Sequence, residues 1–200
     1  IVCITGTKGK STTTVSLHAM LREAGFDARA VGNIGDPITA HVDGSNDQTV
    51  FVAEASSFQL ETTRDFRPHC AIFLNLFADH LDRHPSFEAY AEAKARIFAN
   101  QTEEDTAIVN GEDERVLTLA RKSRVRLIPF RPRTTPLPGA ESPVAYFEQS
   151  EAKFRDTAVT ALFRAEDVQI PGSAVRANLL AAAPARRAAR IRPAVALRTE

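Results

Sequence analysis

Apolar Ile1-Val2-Cys3-Ile4 runs straight into Thr5-Gly6-Thr7-Lys8-Gly9-Lys10-Ser11-Thr12, and a helix-compatible stretch follows at once. A strand, a glycine-spaced turn and a helix in that order admit few folds, because they set the turn at a strand's C-terminal edge beside a helix N-terminus. Gly6 and Gly9 let backbone N–H groups turn inward on phosphate oxygens, Lys10 can reach the outer phosphates, and Ser11 can offer its hydroxyl to Mg²⁺. The helix beginning near Ser11 adds the positive end of its dipole. The segment reads as a nucleotide phosphate cradle. It departs from the general G-x-x-x-x-G-K-[ST] pattern, since Ile4 stands where the first glycine belongs, and keeps the shorter G-T-x-G-K-[ST]-T form. A glycine turn carrying an ordinary surface lysine is the alternative.

Strand-like runs recur at 1–5, 28–32, 49–55, 70–74, 107–110 and 125–129, separated by helix-compatible segments. That alternation predicts an α/β fold of the P-loop type, a mostly parallel sheet flanked by helices on both faces. The helix after the loop carries apolar Val15, Leu17, Ala19, Leu21 and Ala24 and ends at Gly25, a suitable C-cap. From residue 129 the texture changes, with Pro132, Pro136, Pro138 and Pro143 marking an irregular connection. Short β-like runs at 144–147, 158–163 and 167–170 then predict a small antiparallel sheet appended to the main one. The helical run 174–191 should be kinked or divided at Pro184.

At 200 residues, 44% of them hydrophobic, the chain can build one globular domain with a real core. Its 25 acidic and 25 basic residues balance, which argues against a general nucleic-acid or membrane-surface role. Cys3 and Cys70 lie in apolar runs and imply no disulfide framework, so a reducing cytoplasm is expected. No apolar run approaches the ~18 residues of a membrane span. The abrupt start inside a strand, without methionine, reads as a domain excised from something longer.

Three further clusters bear chemistry. Glu54-Ala55-Ser56-Ser57-Phe58-Gln59-Leu60-Glu61 follows a strand, and in open parallel sheets ligands bind at that edge. Glu54 could hold a metal ion, and Ser56, Ser57 and Gln59 a polar substrate, or Ser56 or Ser57 could simply cap a helix. Asn75-Leu76-Phe77-Ala78-Asp79-His80-Leu81-Asp82-Arg83-His84 follows another strand, and Asp79, His80 and Asp82 offer donors suited to Mg²⁺ or Mn²⁺. A polar turn with local hydrogen bonds is the alternative. Asn33, between Gly32 and Gly35, reads as a turn residue at a third strand edge.

The third cluster is 87–98, where Phe87, Tyr90, Ala91, Ile97 and Phe98 form an apolar helical stripe with Lys94 inside it. Lysine can snorkel out of such a stripe. If the amine is instead partly desolvated, its pKa falls and its neutral form can take up CO₂, turning a cation into a metal-binding carbamate.

These segments together resemble the central ATPase domain of the Mur ligases. ITGTKGKSTTT from Ile4, VGNIG from Val31, EASSFQLE from Glu54, NLFADHLDR from Asn75 and AKARIF from Ala93 stand in family order at family-like intervals. The glycine-lysine loop is shared with folylpolyglutamate synthases and cyanophycin synthetases, whereas SSFQLE is similar to the D-glutamate-adding type. Near the C-terminus only Gly172 and Asn178 match the family's Gly-x-His-Asn-x-x-Asn segment.

The resemblance implies ATP-dependent amide bond formation between UDP-N-acetylmuramoyl-L-alanine and D-glutamate in peptidoglycan synthesis, through an acyl phosphate. It implies nucleotide contacts at Gly6, Thr7, Lys8, Gly9, Lys10, Ser11, Thr12 and Asn178, the last toward adenine, and muramoyl-alanine contacts at Asn33, Ser56 and Gln59. Two Mg²⁺ ions are implied, one on Ser11 and Glu54, the other on His80 and carbamylated Lys94, with Lys10, His80 and Lys94 as the catalytic set. A cytoplasmic monomer is expected, with N-terminal UDP-binding and C-terminal ligase domains outside this chain. A folylpolyglutamate-type or cyanophycin-type ligase, or a non-catalytic nucleotide-binding module, are the alternatives.

Overall fold

The computed structural model describes residues 1–80, 82–133, 143–164 and 173–191, with side chains in the last segment as far as residue 185. Strand β1 (Val2–Thr5) is buried at every position and leads through the glycine loop into α1 (Lys10–Glu23). Helix α1 ends as expected at Gly25, whose φ of +86° lets its N–H reach the Arg22 carbonyl while the Phe26 N–H reaches Leu21. Its buried face is Thr13, Thr14, Leu17 and Leu21, whereas Val15 and Ala19 are exposed. An i, i+2 series of apolar residues cannot share one face of a helix, which is why the apolar set splits.

Next come β2 (Asp27–Gly32), β3 (Thr49–Glu54), α2 (Ser57–Glu61), β4 (Cys70–Phe73), α3 (Phe87–Ala95), β5 (Thr106–Asn110), α4 (Glu114–Ala120) and β6 (Arg126–Arg131). The six expected strands are present, each within two residues of its predicted ends. All pair in parallel, in the spatial order β2-β3-β1-β4-β5-β6. Alternation along the strands sends side chains to opposite faces. Val2, Ile4, Val52, Ile72 and Ile108 meet Leu17 and Leu21 on one face. Cys3, Ala53, Ala71, Phe73 and Val109 meet Leu60, Tyr90, Ile97, Phe98 and Val116 on the other. The result is a three-layer stack, with α1 against one side of the sheet and α2, α3 and α4 against the other.

Strands β7 (Val144–Glu148), β8 (Glu151–Arg155) and β9 (Val159–Arg164) form the antiparallel end of the sheet. It is continuous with the main sheet, because β7 pairs in parallel with β6 through Phe130↔Ala145 and Arg131↔Tyr146. Strand β8 was not predicted, and the run expected at 167–170 lies outside the described residues, as do Pro136, Pro138 and Gly172. Helix α5 (Ser173–Ile191) runs through Pro184 undivided and lays Leu180, Ala181, Ala182 and Ala185 into the α1 side of the core. Among the described residues no helix is long and apolar enough to cross a membrane.

Strand order fixes where a ligand can bind. The chain leaves β1 for β2 on one side, returns to β3 beside β1, and crosses to β4 on the other side. The crevice at the C-terminal ends of β3, β1 and β4 is therefore the switch point of the sheet. Gly32 braces its rim, with φ at +105° and with the Glu54 carbonyl oxygen 2.3 Å from where a Cβ would stand.

Gly32→Ala is therefore expected to lower stability by at least about 2 kcal/mol, through strain and through displacement of β3. Gly44→Ala, at φ +77° with nothing within 4 Å of the added carbon, should lose only about 1 kcal/mol of backbone strain. Urea midpoints at unchanged m measure the two losses. Equal losses would mean that the Glu54 carbonyl does not constrain Gly32.

Candidate active site

The switch point gathers three of the expected segments by topology alone. β1 delivers the glycine loop, β3 delivers Glu54, and β4 delivers the run beginning at Leu74 and Asn75. Helix α3 then brings Lys94 beneath the loop.

The loop is held from below by Asn75, to which no role had been given. Its side-chain oxygen accepts from the Thr7 and Lys8 N–H groups at 3.1 and 2.9 Å, and its amide donates to the Lys8 carbonyl at 3.0 Å. The Thr7 and Lys8 amides are thus engaged within the protein. Gly9 (φ +86°) turns the chain into α1, whose N-terminus has neither a side-chain cap nor an acidic residue in its first turn. An uncapped first turn presents N–H groups and a positive dipole end to an anion. Ser11 is exposed there, Thr12 is half-buried, and Lys10 donates to the Thr7 carbonyl at 3.2 Å. From α5, the Asn178 carboxamide oxygen lies 2.6 Å from where a Cβ on Gly9 would stand, so glycine is what lets α5 approach.

Thr7 ties the loop to α3. Its hydroxyl shares a hydrogen bond with the Tyr90 hydroxyl at 3.0 Å, accepts from the Phe77 N–H at 3.0 Å and donates to the Phe77 carbonyl at 3.2 Å. One turn on, Lys94 is only 2% exposed and donates to the Gly6 carbonyl at 2.9 Å. The expected stripe position is thus a buried one, and the amine does not snorkel to solvent. Burial, reinforced by repulsion from Lys10, brings its pKa from the ordinary 10.5 down to about 7 against the opposing pull of Asp79 and Glu54. The Tyr90 ring, 4.9 Å from the amine, favours the cation by too little to reverse that balance.

Glu54 is 3% exposed, and one carboxylate oxygen accepts from the Asn33 amide at 2.9 Å. The other oxygen is buried with no protein partner. Asn33 is therefore more than a turn residue, since its side chain orients Glu54 and its N–H donates to the Glu54 carbonyl. A buried carboxylate oxygen without a donor is costly, and a cation satisfies it.

Ser56 caps α2 as expected, in a capping box with Gln59: the Gln59 N–H donates to Ser56 Oγ at 3.3 Å and the Ser56 N–H to Gln59 Oε1 at 3.0 Å. Ser57 turns inward and bonds the buried His84 ring at 3.0 Å. Asp79 pairs with Lys8 at 3.1 Å, which holds its carboxyl below the ordinary range, while His80 and Asp82 are exposed. No group of three or more His, Cys, Asp and Glu side chains converges among the described residues, so Asp79, His80 and Asp82 do not form a self-contained cation cage. Asn75, Tyr90 and the Ser57–His84 pair escaped sequence reasoning because their partners lie far along the chain. The one local signal was that Asn75 opens a polar run at a strand's end.

Comparison with known proteins agrees with this arrangement. The family model described as the Mur ligase middle domain matches residues 4–185. The UDP-N-acetylmuramoylalanine–D-glutamate ligase of Clostridioides difficile is 40% identical over 179 residues, 90% of this chain and 39% of the relative. The chain thus spans about two fifths of the length of such curated relatives. A solved UDP-N-acetylmuramoyl-L-alanyl-D-glutamate–2,6-diaminopimelate ligase superposes with a TM-score of 0.71 at 22% identity, over 96% of this chain and 44% of that one. E. coli FolC in complex with DHPP and ADP superposes at 0.63 and 18% identity, over 96% and 53%. At such identities the two structures speak for the fold, and the sequence matches carry the assignment: this chain belongs to the Mur ligase middle-domain family.

Proposed function

We propose that this chain is the nucleotide-binding middle domain of an ATP-dependent ligase that joins D-glutamate to UDP-N-acetylmuramoyl-L-alanine, with flanking domains supplying the UDP and amino-acid sites. The observation that carries the reading is the buried, desolvated Lys94 amine against the Gly6 carbonyl, beside a loop shaped for phosphates. A lysine that only bound phosphate would gain from staying charged, whereas one brought to about 7 is ready to react as the free amine.

In this reading Lys10, the first turn of α1 and the backbone of residues 9–12 hold the ATP phosphates and stabilise charge on the transferring phosphoryl group, while the Thr7 and Lys8 amides, taken by Asn75, fix the loop's shape. Lys8 adds positive charge at the loop's outer side, and Asn178, packed against Gly9, would contact the adenine. Asn33, Ser56 and Gln59 line the edge where the muramoyl-alanine carboxylate enters. The neutral Lys94 amine adds to CO₂, forming an N–C bond and losing one proton to solvent, and so becomes a carbamate anion. Ser11 and Glu54 would hold one Mg²⁺, and His80 with that carbamate a second. The orphan Glu54 oxygen fits the first, and the carbamate would bring to the second the hard oxygen donors that Mg²⁺ takes. Mg²⁺ held by these residues would supply positive charge to the phosphate and carboxylate oxygens. The carboxylate takes that phosphoryl group and ADP leaves. The D-glutamate amine then attacks the acyl carbon, and phosphate departs as the amide forms and a proton is released.

Phosphate release by the complete ligase should require both D-glutamate and UDP-N-acetylmuramoyl-L-alanine. Release driven by folate substrates would point instead to a folylpolyglutamate-type ligase, and nucleotide binding without turnover to a non-catalytic module. Lys94→Ala should abolish turnover and be partly rescued by small carboxylic acids, whereas equal rescue by chloride salt would count against the carbamate.

The depressed Lys94 pKa also has a sign that folding experiments can read. Between about 7 and 10.5 the unfolded chain binds a proton that the native state lacks, so in CO₂-free buffer stability should rise with pH across that window. Lys94→Met should remove a slope approaching one proton per molecule. Cys3 and Cys70, pushed up to about 12 by burial, lower stability above pH 9 in both proteins, so the difference between the curves isolates Lys94. Parallel curves would show that Lys94 is not the group responsible.

A further inference from the structure

His84 is a buried histidine to which the proposed chemistry gives no task. It is 3% exposed, and its Nε2 and the hydroxyl of Ser57, itself 2% exposed, share a hydrogen bond of 3.0 Å. Its ring stacks on Phe58 with centroids 5.4 Å apart and planes 10° apart, and meets the Tyr90 ring at 5.4 Å and 60°. A phenylalanine would fill the same aromatic slot, and a polar pair in such surroundings is unfavourable unless it is mutually bonded. The pair therefore supplies direction, which packing alone does not.

What it directs is His80. That residue is exposed, with a φ of +52° that L residues adopt rarely, and its carbonyl accepts from the Arg83 and His84 N–H groups at 3.1 and 3.0 Å. The His80 ring stands edge-on to Phe58 at 5.3 Å and 6.3 Å from Tyr90, so His80 and His84 pack on the same two aromatic rings. Arg83 lies 5.2 Å from the Phe58 ring centroid. Through one backbone bond and two shared rings, the placement of His84 bears on the placement of the His80 imidazole.

We propose that His84, locked by Ser57, is a positioning residue that ties the His80 turn to helix α2 and sets the His80 ring for its ligand. The proposal rests on the reading of His80 as a metal-holding group in the ligase. It implies that α2, with its Ser56 cap and Gln59, and the His80 turn form one mechanical unit.

Ser57→Ala removes one oxygen from the pair, and His84→Phe removes the ring nitrogens while keeping the stack. In the complete ligase each should lower kcat by about tenfold, the range typical of groups that orient a metal-binding residue. KM for ATP should stay within about twofold, because the phosphate loop is untouched. The double variant should fall no further than the singles, since both remove the same bond. In protein carrying isotope-labelled histidine, without substrate, the His80 imidazole resonances should shift or broaden in both variants. Unchanged kcat well below the unfolding temperature, losses that multiply in the double variant, or unmoved His80 resonances would overturn the proposal. If the wild-type ligase shows no turnover, the ligase reading fails by itself, and the resonance measurement still decides whether His84 positions His80.

Discussion

Strand β1 lies between β3 and β4, and nearly everything at the candidate site follows from that pairing. Ile4 is in register with Glu54 on one side and with Ile72 on the other, so the three strands end at nearly the same level. Parallel pairing turns all three C-terminal ends to one edge, where the next residues must leave the sheet with unsatisfied backbone groups. Each departure is met by a specific partner. Thr5 Oγ1 donates to the Ala55 carbonyl, the Asn33 N–H donates to the Glu54 carbonyl, and Asn75 takes the loop amides. A polar rim built to satisfy the sheet's own backbone is already most of a ligand site, because little reorganisation remains when an anion arrives.

The same edge sets the electrostatics. Glu54 and Lys94 are both buried, yet they are not partners. The carboxylate bonds Asn33 and keeps one oxygen bare, while the amine bonds the Gly6 carbonyl. A direct pair would hold the lysine charged and the carboxylate satisfied, leaving neither available. Keeping them apart leaves an acceptor in need of a cation and an amine that gives up its proton near neutral pH. Lys10 contributes by repulsion, so the lysine of the glycine loop tunes the lysine beneath it.

Local chemistry was legible in the sequence and long-range partnership was not. Gly25, the parallel strands, the Ser56 cap and the stripe-facing Lys94 could be read because each depends on spacing within about one helical turn or one strand. Strand β8 was missed because Glu151-Ala152-Lys153-Phe154-Arg155 is short and charged, and becomes a strand only between β7 and β9. Which face of α1 is buried was not legible from its apolar residues alone, since Thr13 and Thr14 join Leu17 and Leu21 on the buried side while Val15 is exposed. Asn75 with Thr7, 68 residues apart, and Ser57 with His84, 27 apart, are joined only once the sheet is formed.

Lys8 occupies the variable position of the G-T-x-G-K-[ST]-T loop. Its backbone N–H serves the Asn75 clamp, whatever the side chain, while the ammonium reaches Asp79 at 3.1 Å with three quarters of its surface exposed. Such an exposed pair is screened by solvent, so the bridge holds Lys8 only loosely. In the proposed ligase that charge could pass from Asp79 to a phosphate oxygen at little expense in stability. Asp79, which precedes His80 and accepts its N–H at 3.1 Å, would then lose its cation as the phosphate gained one. Such a coupling of the loop to the His80 turn would run through an exposed, exchangeable contact, in contrast to the buried Lys94 and Thr7 contacts beneath the loop.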